Sequence, residues 1–270
     1  MTTVARAFGD SVRWLFAPPG KLLGALGEHM IMLGQACYWL ARRPFRARLF
    51  IEACDYIGIG SLPIIVLVGT FTGAVTALQA VNAFALLQAQ AFAGSAVGLS
   101  LAVELAPVLT GLMLAGRAGS GIATELGTMR LTEQIDALET MAVSPIQYLV
   151  VPRLLAGLVM GPVLTMIFFV TGMLGAYIVA VFLMNVDRGL FMENFYWYVD
   201  GRHITQGLIK AVVFGLLVTL VGCYQGYYSS GGGRGVGLAT TRAVVIASVT
   251  ILLLDYFLSD ILLSVLAPPA

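Results

Sequence analysis

The stretch YIGIGSLPIIVLVGTFTGAVTALQAVNAFALLQAQAFAGSAVGLSLAV, residues 56–103, contains no Asp, Glu, Lys or Arg. A helix rises about 1.5 Å per residue and the hydrocarbon core of a bilayer is about 30 Å thick, so the run is long enough for two crossings. Working outward, further uncharged runs cover 154–186 and 211–233, and 243–263 is apolar apart from Asp255 and Asp260. Only 11% of the 270 residues are charged and 59% are hydrophobic, whereas a soluble domain carries about 25% charged residues. The economical reading is five spans, at roughly 57–82, 96–116, 154–184, 208–228 and 242–263.

Backbone polar groups in lipid must be satisfied within the segment, and these runs have helix length rather than the ten-residue alternation of barrel strands. The predicted fold is an all-α polytopic membrane protein. Arg6, Arg13, Lys21, Arg42, Arg43, Arg46 and Arg48 precede the first span, and the loops with Arg117, Arg130 and Arg153 and with Arg234 and Arg242 fall on the same side. Arg188, Arg202 and Lys210 are assigned to the other side. The positive-inside rule then puts the N-terminus in the cytoplasm and the C-terminus outside. No cleavable signal peptide is visible. The net charge of +1 and the lack of a basic stripe give no reason to expect nucleic acid. Cys37, Cys54 and Cys223 lack the spacing of a zinc site and read as inert thiols.

Residues 1–55 read as interfacial helices rather than a span, and 56–270 as the transmembrane unit. Pro18-Pro19-Gly20 separates a short helix around Val4–Phe16 from an apolar run over Leu22–Leu40, which Glu28, His29 and Gln35 interrupt. Pro162 predicts a kink in the third span. The aromatic and charged segment 185–206 reads as an interfacial helix or lid on the outer side. The glycines of SSGGGRGVGLATTR, residues 229–242, follow a membrane helix rather than a strand, so a flexible connection is expected there instead of a phosphate cradle.

Amid these apolar runs stands ELAPVLTGLMLAGRAGSGIATELGTMRLTEQIDALETMAVSPIQYLVVPR, residues 104–153. Glu104 falls inside the second span. A carboxylate in lipid costs at least about 2.5–3.5 kcal/mol on insertion scales, so it faces a cavity or a partner. It either lines a substrate path or makes a structural bond to a neighbouring span. For Asp255 the structural bond is the favoured reading. Residues 130–140 read as a short amphipathic helix on the cytoplasmic face, with Leu131, Ile135 and Leu138 on one side and Glu133, Asp136 and Glu139 beside them. A solvated surface helix and a partner-docking protrusion both fit this pattern. No HExxH, GxSxG or Ser/His/Asp set is present, so no catalytic or metal-ligating residue is assigned. Small residues in TGAVTAL, AGRAGSGIA and TGMLGA suit close helix packing and dimer seams.

The 104–153 stretch, with GLATTRAVV and LDYFLSDILL further on, resembles the MCE-associated ABC transporter permeases of the Mla type, over roughly residues 50–263. The resemblance implies a homodimeric permease of five transmembrane helices and an N-terminal interfacial helix. It implies a cytoplasmic ABC ATPase, which binds the ATP and Mg, a STAS-like regulator, and a periplasmic MCE-domain protein that exchanges phospholipid with the inner membrane. The permease itself then needs no cofactor. In that scheme 130–140 is the coupling helix, with Leu131, Glu133, Gln134, Asp136, Ala137 and Glu139 meeting the ATPase. Phe71, Val75, Leu78, Gln79, Leu101 and Glu104, on the first two spans, would line an outward-opening lipid pocket at the dimer seam. Relatives often carry Arg before the motif Glu; Val103 stands here, which leaves another lipid, such as a sterol or fatty acid, as the alternative cargo. An intramembrane lipid-modifying enzyme is a further alternative.

Overall fold

The computed structural model describes residues 19–40, 42 and 46–266. Among the described residues eight helical elements follow one another: α1 (Pro19–Leu40), α2 (Ala47–Ala85), α3 (Gln90–Leu131), α4 (Gln134–Thr140), α5 (Ile146–Leu183), α6 (Arg188–Tyr198), α7 (Gly201–Tyr227) and α8 (Gly232–Leu266). No strand occurs among the described residues. Helices α2, α3, α5, α7 and α8 are long and apolar enough to span a membrane. The expected all-α polytopic fold with five spans therefore holds. The helix expected at Val4–Phe16 lies outside the described residues.

Each span is longer than its apolar run. α2 begins with the elbow Ala47–Ile57, turns through the tight stretch Ile59–Ser61 and continues as Leu62–Ala85, so residue 56 lies inside the elbow. Arg117 holds this turn: its guanidinium donates to the Tyr56 carbonyl and to Ser61 Oγ at 3.1 Å. The glycine-rich stretch is not a flexible connection. α8 starts at Gly232, and only a short turn through Gly231, at φ 96°, separates it from α7. The helix extends through these glycines because propensity is a weak prior that tertiary context overrides. α5 passes through Pro162 within one continuous α-helical stretch, Val151–Tyr177. Wide π-turns fall instead at Leu101–Leu105, Ala115–Gly119, Ile146–Val150 and Ile178–Leu183. Two of them precede a proline, Pro107 and Pro152, whose missing N–H removes a rung of the helical ladder.

Packing relies on backbone contact. A Cβ on Gly73 of α2 would lie 1.8 Å from the Gly172 carbonyl oxygen of α5, and one on Gly215 of α7 would lie 2.2 Å from that of Gly157. Such close approach is how helices associate where lipid supplies no hydrophobic drive between them. α7 is the central helix, with 61% of its membrane window buried, while α8 buries 11% of its own and lies outermost.

Candidate functional site

The polar centre grows out of α7. Asp200 caps its N-terminus, accepting from the Gly201 N–H at 2.6 Å, and His203 Nδ1 accepts from the Asp200 N–H at 3.1 Å. With the start fixed there, Lys210 lies about 14 Å along this apolar span. A Cβ on Gly207 would sit 2.1 Å from the Ala102 carbonyl oxygen, so α7 lies directly against the π-turn of α3 that carries Glu104.

That contact brings charges from three spans together. Lys210 Nζ donates to Glu104 Oε2 and to Ser259 Oγ, both at 2.7 Å, and lies 2.9 Å from Asp255 Oδ1. Ser259 Oγ is 3.0 Å from Glu104 Oε1 and 2.8 Å from the Asp255 carbonyl oxygen, and donates its one proton to either. The Lys210 side chain is fully buried, whereas 44% of the Glu104 side chain is exposed. Two carboxylates against one ammonium give the cluster a formal charge of −1, with Glu104 as its open end. Val103 beside it is half-buried and adds no cation.

Lys210, expected toward the outer side of its span, lies well inside α7 as the centre of this cluster. Ser259, a small polar residue with no charge to mark it in an apolar run, joins the same cluster. The legible signals were the Asp200–His203 cap that fixes where α7 begins, and Asp255 and Ser259 one turn apart on α8. Asp255 does make the structural bond expected of it, with a partner that the sequence had not supplied.

Of the other residues expected along a lipid path, Phe71, Val75, Leu78 and Gln79 stand on the exposed face of α2, opposite the glycines that pack on α5. Leu101 is fully buried and packs toward Gly172. The polar partners of Glu104 come from α7 and α8, not from the α2 face.

At the other end, 130–140 is not one helix. α3 continues to Leu131, the chain turns at Glu133 with φ 57°, and α4 covers Gln134–Thr140. A second left-handed residue, Ala142 at φ 57°, ends the unit. Ile135 is fully buried and anchors α4. Arg130 Nη1 donates to Asp136 Oδ1 at 2.6 Å, Gln134 Nε2 to Thr132 Oγ1 at 3.0 Å, and Tyr227 Oη to Glu139 Oε1 at 3.3 Å. Leu131, Glu133, Gln134, Asp136, Ala137 and Glu139 are all exposed, as is Met141. Helix α1 reaches this same end, where the Tyr224 hydroxyl donates to Glu28.

Comparison with known proteins agrees with this geometry. The family Permease MlaE matches residues 50–261. A probable ABC transporter permease protein of Rickettsia bellii is 39% identical over 245 residues, covering 91% of this chain and 95% of its own. The intermembrane phospholipid transport system permease protein MlaE of Haemophilus influenzae is 40% identical over 259 residues, covering 90% and 97%. The chloroplastic protein TRIGALACTOSYLDIACYLGLYCEROL 1 of Arabidopsis thaliana is 32% identical over 230 residues, covering 85% and 66%. With five spans, a charged centre inside the membrane and an exposed short helix at one end, the chain belongs to the MlaE permease family.

Proposed function

We propose that this permease is the membrane subunit of an ABC transporter that moves phospholipid between the bacterial inner membrane and a periplasmic MCE-domain protein, driven by a cytoplasmic ATPase. The observation that carries the reading is the pairing of an intramembrane charged cluster, open at Glu104, with an exposed α4 some 40 Å away along α3. The phospholipid cargo follows from the likeness to the Haemophilus permease.

In this reading α1, the elbow and α4 face the cytoplasm, and α6 and the end of α8 face the periplasm. Two copies of the chain form the transporter, with the bare apolar outer face of α8 as their seam in place of the first two spans. Phospholipid lies between the exposed α2 face and Glu104. The ATPase grips Leu131, Glu133, Gln134, Asp136, Ala137 and Glu139, and a STAS-like regulator binds on its far side. ATP and Mg belong to the ATPase. When that pair closes, α4 moves with the long α3, and the π-turn at Leu101–Leu105 shifts Glu104 against Lys210. The chain's own part is positioning and gating.

Charge reversal tests the docking surface. Glu133→Lys with Asp136→Lys should abolish co-purification of the ATPase while the chain stays folded and keeps its size. Unchanged co-purification would overturn the assignment of α4. Lipid mass spectrometry of the intact complex tests the cargo, with phospholipid expected and a sterol or fatty acid counting against it.

A further inference from the structure

We propose a second lipid site, at the α4 end of the molecule, that takes the headgroup of a phosphoethanolamine lipid from the cytoplasmic leaflet. The inference rests on the lipid-permease reading and adds to it a site of defined headgroup chemistry.

A cavity of about 420 Å³ opens between the elbow of α2, the last turns of α3 and the first turns of α5. Pockets of about 300–1,000 Å³ hold small molecules. Two irregularities shape it. The elbow leaves the line of the first span at the turn that Arg117 fastens, and the π-turn Ile146–Val150 widens the start of α5.

Leu49, Ile57, Ile122, Met129 and Leu149 give the cavity apolar walls, a lining for the first carbons of an acyl chain. Its charged groups are Glu52, Glu125 and Arg153. Arg153 Nη2 donates to Glu125 Oε1 at 2.8 Å and Nη1 to the Leu149 carbonyl at 2.6 Å, which leaves further N–H groups on the guanidinium. Arg48 holds Glu52 from outside at 2.9 Å, with the arginine side chain 92% exposed, so the pair is weak. The lining side chains alone therefore sum to −1, with Arg48 at the rim and Arg46 stacked 4.7 Å from the Tyr148 ring.

This balance selects among lipids. A phosphate alone adds an anion beside two carboxylates and brings no cation to answer them, so phosphatidylglycerol is the poorer fit. Phosphoethanolamine brings a phosphate for Arg153 and the Tyr148 side chain, together with an ammonium whose three N–H groups suit Glu52 and Glu125. Glu125 lies about 32 Å along α3 from Glu104, close to a full bilayer core, so one headgroup cannot serve both places.

The test uses the full-length chain with its co-purified ATPase in nanodiscs of equal phosphatidylethanolamine and phosphatidylglycerol. Each lipid carries a photoreactive acyl chain in turn, and labelled peptides are mapped. Labelling around Leu49 and Ile122 should favour the ethanolamine lipid about fivefold, the scale of one partly exposed charge contact. Glu52→Gln should remove most of that preference, and the exposed position does not threaten folding. Ala53→Phe, which fills the cavity without touching a charge, should abolish labelling there and leave labelling around Val75 and Leu78 intact. Equal labelling by both lipids, or labelling that survives Ala53→Phe, overturns the second site while the α2 label upholds the lipid-permease reading. Labelling at neither place overturns both.

Discussion

Lys210 is the residue on which the membrane centre depends. A buried ammonium without partners would be expelled or neutralised, and its position is tenable only because carboxylates from two other helices meet it. Removing one partner of such a set leaves uncompensated buried charge. Lys210→Met should therefore destabilise the chain by about 3 kcal/mol, the half-exposed Glu104 keeping the loss at the lower end of the range for buried pairs. Adding Asp255→Asn should restore more than half of it. Unfolding of the purified single and double variants in bicelles checks this, and simple additivity of the two losses would show that Lys210 and Asp255 do not act together. The sequence disclosed the two carboxylates readily, since any acid in an apolar run stands out. It concealed the lysine because residues near a predicted span end are naturally assigned to the loop. The Asp200 cap settles the matter by fixing where the helix starts.

Among the elements, α4 is the most tightly specified for its size. Left-handed Glu133 and Ala142 bracket it, Ile135 anchors it, and the Arg130–Asp136 pair ties it to the end of α3. An L-residue in the left-handed region costs roughly 1–2 kcal/mol, which glycine avoids. Ala142→Gly should therefore stabilise the permease by about 1 kcal/mol, raising its melting temperature by roughly 2–4 °C for a chain of this size. Ala142→Val should lower it. A melting temperature indifferent to both would mean that the turn relaxes on its own. The existence of α4 was legible from Ile135 and Leu138 set beside acids. The break before it was not, because positive φ at a glutamate leaves no mark in composition. The first turns of α8 escaped for the opposite reason: glycines that normally signal a loop are here helical.

At the scale of the molecule, burial is graded from α7 at the centre to α8 at the edge. The outward side of α8 presents Val245, Val249, Leu252, Leu253 and Tyr256, all exposed within one copy. If that side is the seam between two copies, a cysteine at Val249, in a chain with Cys37, Cys54 and Cys223 replaced by serine or alanine, should cross-link to its twin in native membranes. A cysteine at Leu67 on the exposed side of α2 should not. Equal cross-linking at both, or at neither, would move the seam elsewhere. Five spans and their order were open to a sequence reader because continuous hydrophobicity needs no knowledge of contacts. Which span lies innermost was not, since that depends on glycine faces meeting across the fold, as at Gly157 and Gly215.

The three-helix charge cluster also bears on how the chain is made. Spans leave the ribosome in order, so α3 brings Glu104 into the bilayer long before Lys210 arrives on α7. Their meeting cancels charge, whereas Asp255 enters later and restores a net negative centre. A nascent chain that ends after α7 therefore already holds a neutral pair, and α8 joins a scaffold whose most difficult insertion step is complete. Synthesis is most exposed to quality control in the interval when α3 waits in the membrane with its acid unanswered.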